Sequence, residues 1–116
     1  MVAAYLVVTL LTVLANGYAA AGDFLHTEQT VANAARVGAP RTWLLPLGAL
    51  KTAGAVGLLM GIAVPALGVA AAIGLVLFFV CAVAAHIRVR WFVTIPVPAA
   101  FLLLAAGSLV LRLATM

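Results

Sequence analysis

The sequence predicts an all-α protein: a single transmembrane domain over residues 1–116, built as an up-down-up-down bundle of four membrane-spanning helices. Two observations support this prediction. Of the 116 residues, 68% are hydrophobic and only 7% are charged, whereas soluble domains carry about 45–50% apolar and about 25% charged residues. The apolar residues also fall into four runs of about 20 residues, the length that a helix needs to cross the hydrocarbon core. The lipid bilayer is therefore the main solvent of this chain.

The first run is expected to span the membrane from Val2 to Gly22 and to end at Asp23. Consecutive alanines near its end resemble a signal-peptide cleavage site. No Lys or Arg precedes the run, however, and the run is itself long enough to span the membrane. We therefore expect a membrane helix here rather than a cleaved leader.

A more polar segment, residues 24–38 with the sequence FLHTEQTVANAARVG, separates the first two spans. One interpretation is a short helix in the membrane interface, with Phe24, Leu25 and Val31 toward the lipid and Gly38 near its end. The other interpretation is a structured cytoplasmic loop. The sequence leaves both open.

Prolines and charges mark the ends of the other three spans. The second span is expected over residues 44–64 and the third over residues 66–85, with only Pro65 between them. Such a short connection requires a tight antiparallel hairpin. The fourth span is expected from Pro96 to Leu113, since proline is tolerated in the first turn of a helix.

Basic residues are unevenly distributed between the two ends of the predicted bundle. Four arginines, Arg36, Arg41, Arg88 and Arg90, lie in the two loops that share one side of the membrane, and only Arg112 marks the other side. By the positive-inside rule, these loops are cytoplasmic and both termini lie outside. The net charge of +4 is spread over loops and span ends. We therefore expect anionic lipid headgroups rather than nucleic acid as its partners.

The sequence offers no pattern for thiol or metal chemistry. Cys81 is the only cysteine, so the chain cannot run an internal dithiol–disulfide cycle, and we expect Cys81 to serve packing. His26 and His86 do not show the spacing of metal or haem ligands. No metal site is expected, and no cofactor is identified.

Polar residues inside the first span recur on one face of the helix. Thr9, Thr12, Asn16 and Asp23 follow one another at steps of three, four and seven residues, with Ala19 at the missing step. Polar groups at membrane depth seek partners on other helices, so this stripe is expected to face the bundle interior. For Thr9 and Thr12 the simpler expectation is a hydrogen bond to the backbone of their own helix.

The second span carries three glycines on one face, Gly54, Gly57 and Gly61. The spacing of Gly57 and Gly61 allows another helix backbone to approach closely. Lys51 lies less than a quarter turn from this face, so its side chain is expected to point toward a seam between helices. The rest of the helix surface is left for lipid or a neighbouring subunit, and we expect a homo-oligomer. The residues on that surface are Ala49, Thr52, Val56, Leu59 and Met60.

Lys51 needs a charge partner, because an ammonium at that depth costs about 3 kcal/mol even on lenient insertion scales. Asp23 is the first choice and Glu28 the second, since they are the only acidic residues. Asp23, Lys51 and His86 come from three spans at similar depth, with Asn16 a little deeper. A convergent polar pocket near the cytoplasmic face is one interpretation of this arrangement. A purely structural ion pair is the other.

Several segments resemble the DoxX-like family of small bacterial membrane proteins. The resemblance is carried by LGALKTAGAVGL at residues 47–58, by HIR at residues 86–88 and by PAAFL at residues 98–102. It implies a multi-pass protein of the bacterial cytoplasmic (inner) membrane. It also implies that Lys51 occupies a family-pattern position, at which many members carry a glutamate instead.

Two classes of function follow. The family name derives from a subunit of a thiosulfate:quinone oxidoreductase, so the resemblance implies a membrane subunit or scaffold for a redox protein partner. The alternative is a membrane-embedded enzyme or binding protein for a lipophilic small molecule, a quinone, sterol or isoprenoid, with proton transfer by Lys51, Asp23 and His86. The candidate pocket comprises Asn16, Asp23, Lys51, His86 and Arg88.

Overall fold

Five α-helices and one short 3-10 turn make up the protein, in a computed structural model that describes residues 1–116. The helices are α1 (Val2–Leu25), α2 (Glu28–Arg36), α3 (Leu44–Met60), α4 (Pro65–Arg88) and α5 (Pro96–Thr115), and the 3-10 turn Arg41–Trp43 leads into α3. Helices α1, α4 and α5, and α3 together with its preceding turn, are each long and apolar enough to cross a membrane. The predicted all-α architecture with four membrane-spanning helices is confirmed.

The four long helices form a ring in which each packs against two neighbours. Helices α1 and α4 lie on opposite sides of the ring, and each contacts both α3 and α5. Thr9, near the start of α1, contacts Ser108 near the end of α5. Asp23, near the end of α1, contacts Lys51 in the first half of α3. Helix α1 therefore runs antiparallel to both neighbours, and both termini lie at one end of the bundle, here named the terminal end.

The helix ends differ from the predicted span ends by a few residues. Helix α1 continues to Leu25 and stops where His26 adopts a left-handed conformation, with φ of 52°. Helix α3 stops earlier than predicted, at Met60, because residues 61–63 already turn into the hairpin with α4. Helix α4 continues past its predicted end to Arg88. Charges mark where a helix leaves the hydrocarbon, whereas its backbone hydrogen bonds continue for another turn.

The polar segment between the first two spans forms the short helix α2. The helical part of the first interpretation is therefore confirmed, and its position in the membrane interface stays a prediction. Thr27 caps the helix, since its hydroxyl oxygen accepts a hydrogen bond from the Thr30 backbone N–H at 3.3 Å. Ala34 is the only buried residue of α2. Gly38 follows the helix with φ of 80°, a conformation that glycine adopts without steric strain. This end of the bundle, which carries α2, is named the α2 end.

The interior is apolar on one side and polar on the other. The apolar core lies among α3, α4 and α5 and consists of Leu58, Ala72, Leu75, Phe79 and Ala105. The side of α1 that faces the bundle instead buries Thr9, Thr12, Asn16 and Asp23. Hydrophobic packing therefore joins α3, α4 and α5, whereas polar contacts contribute to the seams that α1 makes.

The glycine face of α3 packs against α4, as predicted. Gly54 lies against the Leu75 side chain and Gly57 against Ala71. Gly61 meets Gly68 backbone to backbone, so the two helices are closest where the hairpin turns. The side of α3 that was expected to face outward is exposed at every predicted position, namely Ala49, Thr52, Val56, Leu59 and Met60.

Cys81 is exposed on the surface of the bundle. The expectation that it serves packing is wrong for packing within the chain. The reason is its position on α4, whose buried residues are Gly68, Ala72, Leu75 and Phe79, a row at helical spacing that Cys81 does not share.

Membrane orientation is tested by placing a cysteine at Thr42, which is exposed at the α2 end. The Thr42→Cys variant is made together with Cys81→Ser, because the native thiol is exposed as well. We expect a membrane-impermeant maleimide to label it only after the cells have been permeabilised, since the positive-inside rule predicts that this end is cytoplasmic. Labelling in intact cells would show that the orientation is the opposite of the predicted one.

Candidate functional site

Lys51 and Asp23 form an ion pair inside the bundle. The Lys51 Nζ lies 2.7 Å from the Asp23 Oδ2, and the two side chains are 14% and 5% exposed. The Lys51 Nζ also lies 5.5 Å from the centroid of the Phe78 ring on α4. The ammonium is therefore at the junction of α1, α3 and α4. The expected pairing with Asp23 rather than Glu28 is confirmed.

A glycine of α3 allows α1 to approach closely enough for this pair to form. Gly48 lies three residues before Lys51, and a Cβ added to it would lie 3.1 Å from the Asp23 Cβ and 3.2 Å from the Phe24 ring. Both distances are shorter than most contacts that real Cβ atoms make. Gly48 was not among the glycines singled out in the sequence, because it lies apart from the Gly54, Gly57 and Gly61 face.

The polar stripe of α1 is buried, as predicted. Thr9, Thr12 and Asn16 have no exposed surface, and Asp23 is 3% exposed. Two further buried residues complete the stripe. Ala20, rather than Ala19, fills the step after Asn16, and Tyr5 extends the stripe by one turn toward the terminal end.

The hydrogen bonds of this stripe are of two kinds. The Thr9 Oγ1 lies 2.7 Å from the Ser108 Oγ on α5, so the expectation of a bond to its own helix backbone is wrong for Thr9. Thr12 does donate to the Val8 carbonyl, at 2.7 Å. The Asn16 Nδ2 donates to the Thr12 carbonyl at 2.9 Å, while its buried Oδ1 has no partner in the chain. Thr9 differs from Thr12 because a second hydroxyl faces it across the seam.

His86 belongs to a separate cluster at the α2 end. Its Nδ1 lies 2.8 Å from the Ala82 carbonyl oxygen, one turn earlier in α4. Its ring stacks on Trp91, with the centroids 5.0 Å apart and the planes inclined by 13°. The Arg36 guanidinium carbon lies 4.6 Å from the centroid of the same indole ring. These three residues, Arg36, His86 and Trp91, are named the Trp91 cluster.

Trp91 lies beyond the end of α4, yet it is only 9% exposed. Arg90 adopts a left-handed conformation, with φ of 55°, and the Trp91 backbone N–H donates to the His86 carbonyl at 2.9 Å. This turn folds the indole back onto the helix. Sequence reasoning missed Trp91, although a tryptophan just past a span end is a known signal of the membrane interface.

Arg88 also makes its contact at the α2 end. Its Nη2 donates to the Val37 carbonyl, just after α2, at 2.9 Å. This hydrogen bond and the stacking of Arg36 on Trp91 hold α2 against the end of α4. Arg88 therefore fixes the position of α2.

Hydrogen bonds and ion pairs join only Asp23 and Lys51 among the five candidate pocket residues. Asn16 bonds within its own helix, His86 bonds and stacks within the Trp91 cluster, and Arg88 bonds the backbone after α2. The arrangement consists of two separate units, the ion pair between α1 and α3 and the Trp91 cluster.

Two recesses in the surface lie away from the ion pair. One of about 470 Å³ is lined by His26, Arg41, Thr42 and Leu45. The other, of about 250 Å³, lies beside α1 and the start of α2, and its lining includes Tyr18, Leu25 and Gln29. Neither recess includes Lys51, Asp23 or His86 in its lining.

The sequence profile of the DoxX-like family matches residues 7–108. No curated protein and no solved structure matches the chain. The matched region contains the ion pair and the Trp91 cluster, and it includes most of each of the four long helices. This chain, a multi-pass membrane protein, therefore belongs to the DoxX-like family.

Proposed function

We propose that this protein is a non-catalytic subunit of the bacterial cytoplasmic membrane that anchors or scaffolds a redox protein partner. The observation that carries the proposal is the closed ion pair. The Lys51 Nζ and the Asp23 Oδ2 lie 2.7 Å apart, and the Asp23 side chain is only 5% exposed. A general acid or base has to reach its substrate within hydrogen-bond distance. A closed pair that joins two helices supports a structural role instead.

The α2 end offers a surface on which a partner could dock. Helix α2 is held in place by Arg88 and by the Trp91 cluster, and Ala34 is its only buried residue. The remaining residues of α2 leave a largely polar surface that is fixed relative to the bundle. Such a surface suits a protein domain outside the membrane. The redox class of this partner rests on the family resemblance.

The alternative remains a membrane-embedded enzyme or binding protein for a lipophilic small molecule such as a quinone, sterol or isoprenoid. The feature that favours it is the 14% exposure of the Lys51 side chain, which leaves a small part of this side chain accessible. Proton transfer by Lys51, Asp23 and His86 together would require His86 to leave the Trp91 ring. The contacts therefore support the scaffold proposal more strongly.

We also propose that the protein forms a homo-oligomer. Ala49, Ala53 and Thr52 give the exposed side of α3 several small residues at membrane depth. Small residues let helices of neighbouring subunits approach closely in a bilayer. Native mass spectrometry of the purified protein in mild detergent and in nanodiscs measures the copy number, and a strictly monomeric mass in both would contradict this proposal.

Affinity purification of the tagged protein from its native membrane in mild detergent tests the scaffold role. We expect a redox protein to be retained in stoichiometric amount. Ala32→Arg, on the exposed side of α2, should remove it, because a bulky charge then stands in the docking surface. Ala114→Arg introduces the same side chain at an exposed position of the terminal end and serves as the matched control.

Two outcomes would contradict the scaffold proposal. One is purification of the chain without any stoichiometric protein but with a bound quinone, sterol or isoprenoid, detected by solvent extraction and mass spectrometry. This result would favour the alternative. The other is an equal loss of the partner in Ala32→Arg and Ala114→Arg, which would show that the partner does not dock on α2.

A further inference from the structure

A second polar pair lies at the terminal end of the bundle, between α1 and α5, and consists of the buried Tyr5 and the half-buried Arg112. Tyr5 is only 2% exposed, and the Arg112 guanidinium carbon lies 4.7 Å from the centroid of its ring. The Tyr5 Oη and the Arg112 Nε are both buried, and neither has a hydrogen-bond partner in the chain. One turn deeper, Thr9 and Ser108 satisfy each other at 2.7 Å. The unsatisfied Tyr5 and Arg112 groups therefore lie in the outermost layer of this seam, outside the satisfied Thr9 and Ser108 pair.

The chemistry of these two groups requires a hydrogen-bond acceptor. A guanidinium nitrogen only donates, and a phenol hydroxyl has a proton to donate. Leaving a buried donor without a partner costs about 1–3 kcal/mol, and more when the group is charged. An oxygen atom that accepts from both groups would remove this cost.

The positive charge of Arg112 favours an anion as the hydrogen-bond acceptor. The chain has only two acidic residues. Asp23 is engaged by Lys51, and Glu28 lies in the first turn of α2, at the opposite end of the bundle. No side-chain carboxylate is therefore left to neutralise Arg112.

We propose that Tyr5 and Arg112 bind the phosphate of an anionic phospholipid in the leaflet at the terminal end. Tyr5 lies in the first turn of α1 and Arg112 in the last turn of α5, the level at which headgroups meet a spanning helix. The two free oxygens of a phosphodiester can accept from the guanidinium and the phenol together. Exposed Val110 and Leu113 on α5 offer an apolar surface to the acyl chains, which favours a lipid over free phosphate.

Native mass spectrometry of the purified protein, titrated with dioleoylphosphatidylglycerol, tests this site. We expect one lipid to bind per chain with an affinity that falls at least about tenfold in Arg112→Gln and in Tyr5→Phe, because each loses a hydrogen bond to a charged group. Arg90→Gln is the matched control, since it removes the same charge from an exposed residue outside the seam. Dioleoylglycerol, which lacks the phosphate, should not bind the site.

A stability measurement keeps the test independent of folding defects. In lipid-free detergent, Tyr5→Phe should unfold at the same temperature as the wild type or higher, because it loses an unsatisfied hydroxyl. Phosphatidylglycerol should then stabilise the wild type more than the variant. A lower unfolding temperature for Tyr5→Phe without lipid would mean that the hydroxyl already has a partner and would overturn the site.

Three binding results would also overturn the proposal. The first is equal lipid affinity in the wild type, Arg112→Gln and Tyr5→Phe. The second is an equal loss of lipid affinity in Arg90→Gln, which would show that the net charge of the protein, rather than a specific site, determines the affinity. The third is displacement of the lipid by millimolar inorganic phosphate, which would make free phosphate rather than a lipid the ligand. The site is independent of the scaffold role, so its failure leaves that proposal untouched.

Discussion

Replacing Asp23 with alanine is expected to destabilise the folded bundle by about 3–5 kcal/mol, the usual penalty for removing one partner of a buried ion pair. The variant leaves the Lys51 ammonium unpaired at the junction of α1, α3 and α4, where its side chain is only 14% exposed. Lys51→Met should insert normally and cost less, because methionine suits an apolar surround whereas an unpaired ammonium does not. Unfolding of each variant in detergent, titrated with sodium dodecyl sulfate, measures the difference.

The double variant Asp23→Ala with Lys51→Met separates the ion pair from other effects of the two residues. We expect it to recover most of the stability that Asp23→Ala loses, since it removes both charges together. Losses that simply add in the double variant would show that the two charges do not stabilise each other. We also expect Lys51→Met to retain less of the redox protein partner in the affinity purification, because the variant lacks the ion pair that joins α1 to α3.

The number and order of the spanning helices could be predicted from the sequence, because the requirement for about 20 apolar residues leaves few ways to divide this chain. The expected starts at Val2, Leu44 and Pro96 agree with the structure, whereas the residues at which the helices end could not be predicted. The first span was expected to end at Asp23 and the third at Ala85, yet α1 continues to Leu25 and α4 to Arg88. Hydropathy reports where the lipid stops, while the end of a helix depends on local backbone contacts such as the left-handed His26.

The ion pair was predictable because the chain offers Lys51 only two acidic partners. The partners of Thr9 and His86 were not predictable in the same way. Periodicity assigns residues to a face of one helix, but it does not show how far neighbouring helices are rotated about their axes or which hydroxyl faces Thr9 across the α1–α5 seam. His86 meets Trp91 only because the chain folds back at Arg90, and no helical pattern describes that turn.

Gly61→Ala is expected to disrupt the hairpin of α3 and α4 and to destabilise the protein by about 3 kcal/mol, the upper part of the usual range for overpacking. A Cβ at Gly61 would overlap the Gly68 backbone. A flexible side chain could rotate away from such a contact, but two helix backbones can only separate. The same detergent unfolding titration measures the loss.

Gly74→Ala, within α4, is the matched control. A Cβ added there meets no other atom within 4 Å, and alanine in a helix is favoured over glycine by about 1 kcal/mol. This variant should therefore be as stable as the wild type or more stable. Separation at Gly61 should also shift α3 relative to α1, because the same helix contacts Asp23 at Gly48. We thus expect Gly61→Ala to reduce the coupling energy of the Asp23 and Lys51 pair, and an unchanged coupling would show that the hairpin and the ion pair are mechanically independent.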